Sequence, residues 1–143
     1  MADLPFALIV DLDETLCVTF HHPVVKGVEV LRRIDRNRVH VFYVTARTTA
    51  SKRGTDVFIL LHDLPHPANV LYSPIITSSR DHKFDCHLDL AGRFRVLASI
   101  GDADEEAEAS TAAGIPFVLV GVNRPDAAWA ELEAMLEEAG VLK

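Results

Sequence analysis

The sequence predicts an α/β protein with a three-layer, Rossmann-like fold: a five-stranded, mainly parallel sheet with helices on both faces. Three observations carry that expectation. Five short runs rich in β-branched or aromatic residues are each followed by polar or turn residues, the mark of buried strands. Apolar residues at helical spacing fill the gaps between them. Strand and helix alternate along the chain, which calls for right-handed crossovers between parallel strands. At 143 residues, the chain is expected to form one domain over 1–143, large enough to bury roughly two thirds of its unfolded surface in a single core.

The elements follow in order. Phe6 to Val10 is the first strand, and Val28, Leu31 and Ile34 mark a helix near 27–37. Val39 to Val44 is the second strand. Val57, Leu60, Leu61 and Leu64 predict a helix stopped by Pro65, a residue that cannot continue one. Val70 to Tyr72 and Val96 to Ile100 are the third and fourth strands. Ala109, Ala112 and Ala113 predict a helix closed by Gly114 before the fifth strand, Phe117 to Val120. The last helix starts at Pro125, which suits a first turn, turns Trp129, Leu132, Met135 and Leu136 to the core, and ends by Gly140.

The net charge of -7 argues against a general electrostatic grip on nucleic acid or anionic membrane. Basic groups at Arg32, Arg33, Arg36 and Arg38, and at Lys52 and Arg53, read as solvated helix faces. Two distant cysteines, Cys17 and Cys86, suggest neither a zinc site nor a disulfide framework, so a reducing, cytoplasmic setting is expected. No apolar run nears the ~20 residues of a spanning helix, and the N-terminus lacks the basic region of a secretory signal.

The stretch DLDETL, Asp11 to Leu16, places two carboxylates two residues apart at the exit of a buried strand. Such neighbours raise each other's pKa, so the spacing asks for a cation or a reacting group. A turn or helix cap is the alternative reading. An EF-hand loop is excluded, because its sixth and twelfth positions would be Leu16 and His22 instead of Gly and Glu. In open parallel sheets, ligands bind beyond the carboxyl ends of the strands. Asp11, Thr45 and Asp102 each follow a strand, and Lys83 lies in the approach after the third, so all four are expected on one edge. Asp102, with Glu106 four residues later, also reads as an N-cap with acids in the first helical turn.

These residues resemble the four ordered motifs of the haloacid dehalogenase superfamily of phosphohydrolases: DLDETL, Thr45 in VTAR, Lys83 nineteen residues before Asp102, and GDADEEAEASTAAGI. The resemblance implies that Asp11 is the nucleophile and Asp13 the acid and then base. It implies Mg2+ held by the Asp11 carboxylate, the Asp13 main-chain carbonyl and Asp102. Thr45, Ala46, Arg47 and Lys83 would hold the substrate phosphate, with Thr15 and Glu106 in support. Where the family often has Asp, this chain has Glu106, long enough to reach the metal through water or to orient Lys83. Arg47 either pairs with a substrate phosphate or carboxylate, or forms a structural salt bridge. His21 and His22, in a short flap, either touch the leaving group or are incidental; Arg80 and His82 flank Lys83, and Cys17 is expected to be packed, not reactive.

Only residues 16 to 44 separate the first two motifs and 46 to 82 the next two, leaving no room for the inserted cap domain of larger relatives. An uncapped site implies either a phosphorylated substrate large enough to exclude water, such as a macromolecule, or a neighbouring subunit as the lid, so the chain is expected to be a monomer or a capping homo-oligomer. VTAR, with Thr55 eight residues after Arg47, resembles the phosphatase half of polynucleotide kinase-phosphatases, and DLDETL resembles capless phosphatases acting on the RNA polymerase tail. The expected function is a magnesium-dependent phosphatase of phosphate monoesters. The alternatives are a polynucleotide 3′-phosphatase or nucleotidase, which leaves nucleic acid open as a partner, a phosphotransferase, and a non-catalytic module binding metal and phosphate.

Overall fold

The computed structural model describes residues 4–121 and 124–143. Its first strand, β1 (Phe6–Val10), is followed by a two-stranded flap, β2 (Cys17–Val18) and β3 (His22–Pro23), and by helix α1 (Val25–Arg32). Then come β4 (Val39–Val44), a 3-10 turn at Thr49–Ser51, α2 (Lys52–Leu61), β5 (Val70–Leu71) and α3 (Ser79–Arg93). The chain closes with β6 (Arg95–Gly101), α4 (Asp104–Ala113), β7 (Phe117–Leu119) and α5 (Pro125–Glu138).

The five main strands form one sheet in the order β5-β4-β1-β6-β7. Every pairing in it is parallel. β1 lies at the centre with buried neighbours on both sides, which is why FALIV is apolar without alternation. Leu8, Val10, Val41, Tyr43 and Ile100 face α1, α2 and α5 in the larger core, where Trp129 is fully buried. Ala7, Ile9, Phe42 and Val44 face α3 and α4 in the smaller one. The flap and α1 fill the chain between β1 and β4, and no cap domain is inserted. No helix among the described residues is long and apolar enough to cross a membrane.

Two local features set the site's register. Leu97 is an extra residue on β6 opposite β1, where the pairing jumps from Ala7–Val96 to Leu8–Ala98. The bulge brings Val10 opposite Ile100, and the Asp11 N–H donates to the Ile100 carbonyl at 3.0 Å. Asp102 therefore leaves β6 beside Asp11.

The elements differ from the sequence reading in four ways. The first helix ends sooner, at Arg32, and β5 is two residues long, because Asn69 rather than a further strand residue accepts from the Tyr43 N–H. Helix α3, at 15 residues the longest, lies where no helix was expected. In α2 the inward residues are Thr55, Phe58 and Ile59, while Val57, Leu60 and Leu61 face outward.

Candidate active site

The site forms where β1, β4 and β6 end. After β1 the chain turns tightly: the Leu12 carbonyl accepts from the N–H groups of Thr15, Leu16 and Cys17, and Glu14 takes a left-handed φ of 61°. Leu12 and Leu16 anchor this turn in the core. Thr15 donates a long 3.5 Å hydrogen bond to Asp11 Oδ2, and its carbonyl accepts from Trp129 Nε1 at 2.8 Å. A buried tryptophan on α5 thus supports the loop that carries both aspartates.

Asp11 is buried and Asp13 is half-exposed. Burial, aided by neighbouring Asp102 and opposed by Lys83, pushes the Asp11 carboxyl up to about 7. Lys83, buried on α3, sits 3.6 Å from Asp11 Oδ1 and 3.6 Å from Glu105 Oε1, and forms an ion pair with Glu106. The other Glu106 oxygen accepts from the Ala103 N–H at 2.7 Å, so this side chain locks the lysine to the start of α4. Gly101 makes room for it: a Cβ there would lie 2.9 Å from Glu106 Cγ. Ser79 donates to Glu105 at 3.1 Å, fixing the second acid.

One carboxylate oxygen from each of Asp11, Asp102 and Glu106 lies within 4.8 Å of the others. These are hard oxygen donors of the kind that bind magnesium, calcium or manganese. Asp11, Glu105 and Glu106 lie around Lys83, and Asp102 adds a fourth carboxylate beside Asp11 and Glu106. A divalent cation would offset that acidic excess, so the residues fit such an ion.

Asp13 has a different partner. Arg47 Nε donates to its Oδ2 at 3.0 Å and Nη2 to its Oδ1 at 2.7 Å, a bidentate pair. Arg47 is itself buried, with Nη1 donating to Thr55 Oγ1 at 2.9 Å and Nη2 to the Phe20 carbonyl at 2.8 Å. Burial works against its charge, but the bonds to Asp13 outweigh that and hold the guanidinium charged. Arg47 thus forms a salt bridge with its Nε–Nη2 fork on Asp13.

Thr45 is fully buried at the end of β4, and its Oγ1 accepts from the Arg47 N–H at 3.0 Å. Ala46 is exposed at the rim. His21 and His22 are exposed and stack on each other, 4.9 Å between centroids. Arg80 pairs with Glu108, and His82 bonds the Leu71 carbonyl, so neither is spare charge for the site. Burial pushes the Cys17 thiol up to about 11, which makes it inert at neutral pH.

Two participants escaped the sequence reading. Glu105 had no motif position to mark it. Phe20 acts through its carbonyl and the face of its ring, with Arg47 Cζ 4.0 Å from the centroid. A backbone contact leaves no trace in residue type. Beside Phe20, a groove of about 550 Å³ runs between the flap and α2, with Arg53, Val57, Phe58 and Leu61 along it.

No family model matches the chain, and no curated protein matches it. Solved structures do. A chain of the Pnkp1/Rnl/Hen1 RNA repair complex superposes with a TM-score of 0.71 at 18% identity, covering 82% of this chain and 43% of its own. A second Pnkp1/Rnl/Hen1 complex gives a TM-score of 0.71 at 17% identity over 85% of this chain and 47% of the other. The class C acid phosphatase from Bacillus anthracis gives 0.65 at 13% identity over 96% of this chain and 80% of its own. The chain spans less than half the length of the RNA repair chains it matches. The fold shared with these structures is the three-layer α/β arrangement expected of a haloacid dehalogenase-like protein, with no cap among the described residues. Within it, the chain is similar in fold to part of a chain of the Pnkp1/Rnl/Hen1 complexes and to the class C acid phosphatase.

Proposed function

We propose that this protein is a magnesium-dependent phosphatase that hydrolyses phosphate monoesters through a phospho-aspartyl intermediate on Asp11. The observation that carries the reading is the convergence, on one sheet edge, of Asp11, Lys83, Asp102 and Glu106, with Asp13 clamped beside them by Arg47. An Asp11 oxygen attacks phosphorus as the ester P–O bond breaks, and Asp13 gives its proton to the departing oxygen. Water then attacks the acyl phosphate, Asp13 takes the water's proton, and inorganic phosphate leaves. Lys83, with Thr45 at the end of β4, faces the negative charge on the phosphoryl oxygens. Asp11, Asp102 and the Asp13 carbonyl would hold Mg2+, with Glu106 set to orient Lys83. When bound, the ion supplies positive charge that lets Asp11 ionise and approach an anionic phosphate.

The test is hydrolysis of 4-nitrophenyl phosphate with magnesium and with chelator, in the wild-type chain and Asp11→Asn. Metal-dependent turnover abolished by the substitution supports the reading. Turnover that persists in Asp11→Asn refutes it. We further read residues 1–143 as one domain working in a reducing cytoplasm, in keeping with the two free thiols.

A polynucleotide 3′-phosphatase is the second reading, favoured by the flap groove. Arg53 lines that groove, and a guanidinium there suits a backbone phosphate. A 3′-phosphorylated oligonucleotide should then turn over far faster than a nucleoside 3′-monophosphate; equal rates count against it.

A further inference from the structure

The flap and the Asp13 carboxylate share one guanidinium. Arg47 has five N–H groups, and it spends its Nε–Nη2 fork on Asp13, one Nη1 hydrogen on Thr55 and a second Nη2 bond on the Phe20 carbonyl. The Phe20 ring covers the guanidinium face at 4.0 Å, within cation–π range. That ring is 44% exposed, so its place is not dictated by core packing. Its backbone is costly: Thr19 and Phe20 take successive left-handed φ values of 45° and 72°, a conformation that non-glycine residues adopt only when contacts hold them. Those contacts are with Arg47 on one side. On the other is Gly54, where a Cβ would come within 3.1 Å of the ring.

The opposite ends of this chain of contacts are unlike. Thr55 anchors one arm of Arg47 to α2 and in turn donates to the Ser51 carbonyl at 2.9 Å, both within regular structure. The other arm, beyond Asp13 itself, meets Cys17 Sγ at 3.3 Å and the Phe20 carbonyl at 2.8 Å, both on a flap whose strands are two residues long. A lysine or an unsupported arginine would leave Asp13, whose side chain is 47% exposed, free to rotate into solvent.

We propose that Phe20 is a positioning residue for proton transfer: the flap, through the Phe20 ring and carbonyl, holds Arg47 in the geometry that aims Asp13 at the leaving-group oxygen. Flap seating and acid alignment are then one event. This rests on the reading of Asp13 as the acid that protonates the ester oxygen as its P–O bond breaks.

The need for that proton depends on the leaving group. Phenolate is the more basic and requires it; 4-nitrophenolate departs with little help. The two aryl phosphates are nearly the same size, so loss of contact with the Phe20 ring affects them alike. The experiment compares kcat/KM for phenyl and 4-nitrophenyl phosphate in the wild-type chain, Phe20→Ala, Phe20→Tyr and Asp13→Asn. General acid catalysis contributes roughly 10²- to 10⁴-fold, and a misaimed acid forfeits part of it. Phe20→Ala should therefore lose about tenfold more on phenyl than on 4-nitrophenyl phosphate, and Phe20→Tyr, which keeps a ring over Arg47, should restore the wild-type ratio. Asp13→Asn should discriminate more strongly still. If Asp13→Asn discriminates and Phe20→Ala slows both substrates equally, the positioning role is overturned while the acid role stands. If Asp13→Asn slows both equally, the acid role itself fails and the proposal falls with it.

Discussion

Gly27 and Gly92 are both helical glycines, and replacing each by alanine should move stability in opposite directions. Helix propensity alone favours alanine by up to about 1 kcal/mol. Gly92, near the end of α3, has nothing within 4 Å of the point where an alanine methyl would sit, so Gly92→Ala should gain most of that. Gly27, in α1, lies against the indole of Trp129: a Cβ would meet Cε2 at 2.6 Å, Nε1 at 2.8 Å and Cζ2 at 2.9 Å. Trp129 is fully buried and has no room to retreat.

Displacing the indole adds overpacking of about 1–3 kcal/mol. It also breaks the 2.8 Å bond from Nε1 to the Thr15 carbonyl, and a buried carbonyl left without a partner costs about 1–3 kcal/mol. Set against the propensity gain, Gly27→Ala should be destabilised by about 3 kcal/mol net. Equilibrium urea unfolding reads this directly as a midpoint lower by roughly 1–2 M for an m-value near 2 kcal/mol/M. Because Thr15 follows the two aspartates, phosphatase activity should fall as well. A Gly27→Ala midpoint equal to or above wild type, matching Gly92→Ala, would refute the claim that the indole is wedged between α1 and the aspartate loop.

Three further outcomes follow from named contacts. Burial holds the His87 imidazole down at about 4, its Nδ1 donating to the Lys83 carbonyl at 2.7 Å and its Nε2 accepting from Ser99 at 3.1 Å. The unfolded chain binds this proton near the ordinary value of about 6.5, so the contribution is intact above pH 6.5 and is lost as pH falls toward 4, by about 3 kcal/mol in all. His87→Gln should flatten the stability profile in that window, and an unchanged slope would contradict it. Glu106→Gln keeps a partner for the Ala103 N–H but strips the lysine of its ion pair; with Asp11 and Glu105 still near, the cost should be about 2 kcal/mol in urea, where no change would mean that Lys83 is held otherwise. Magnesium at a hundredfold excess over its Kd should stabilise the fold by about 2.7 kcal/mol, seen as a rise in Tm that Asp102→Asn abolishes. An equal rise in that variant would place the ion elsewhere.

The sheet was legible because its strands are buried on both faces and so consist of apolar β-branched runs. The helices were legible only where their inward faces are apolar. In α3 the buried positions are His82, Lys83, His87 and Leu90, so no apolar period exists to be read. Lys83 was placed by motif spacing, while the helix presenting it stayed unseen. In α2 the apolar spacing of Val57, Leu60 and Leu61 marks the outward face, which borders the flap groove. Thr55 is turned inward instead, where it carries Arg47. At both helices the polar residue inside serves the site, and there sequence pattern and burial part company.

The pair of carboxylates in DLDETL is sustained by giving each a different counter-charge. Asp13 turns outward onto an arginine whose other bonds are made within the fold. Asp11 turns inward, toward a lysine already committed to Glu106, among further acids. The two positions are therefore not equivalent despite their spacing. Asp13 is paired with Arg47 before any ligand arrives, whereas burial pushes the Asp11 carboxyl up to about 7. A divalent cation held at Asp11 and Asp102 would add its charge on that side of the loop, away from the Arg47 guanidinium. Binding such an ion should release a proton at neutral pH, because the proton on Asp11 and the ion compete for the same oxygens. On the proposed reading, such an ion would favour the ionised Asp11 that attack on phosphorus requires, while Asp13 keeps its place on Arg47.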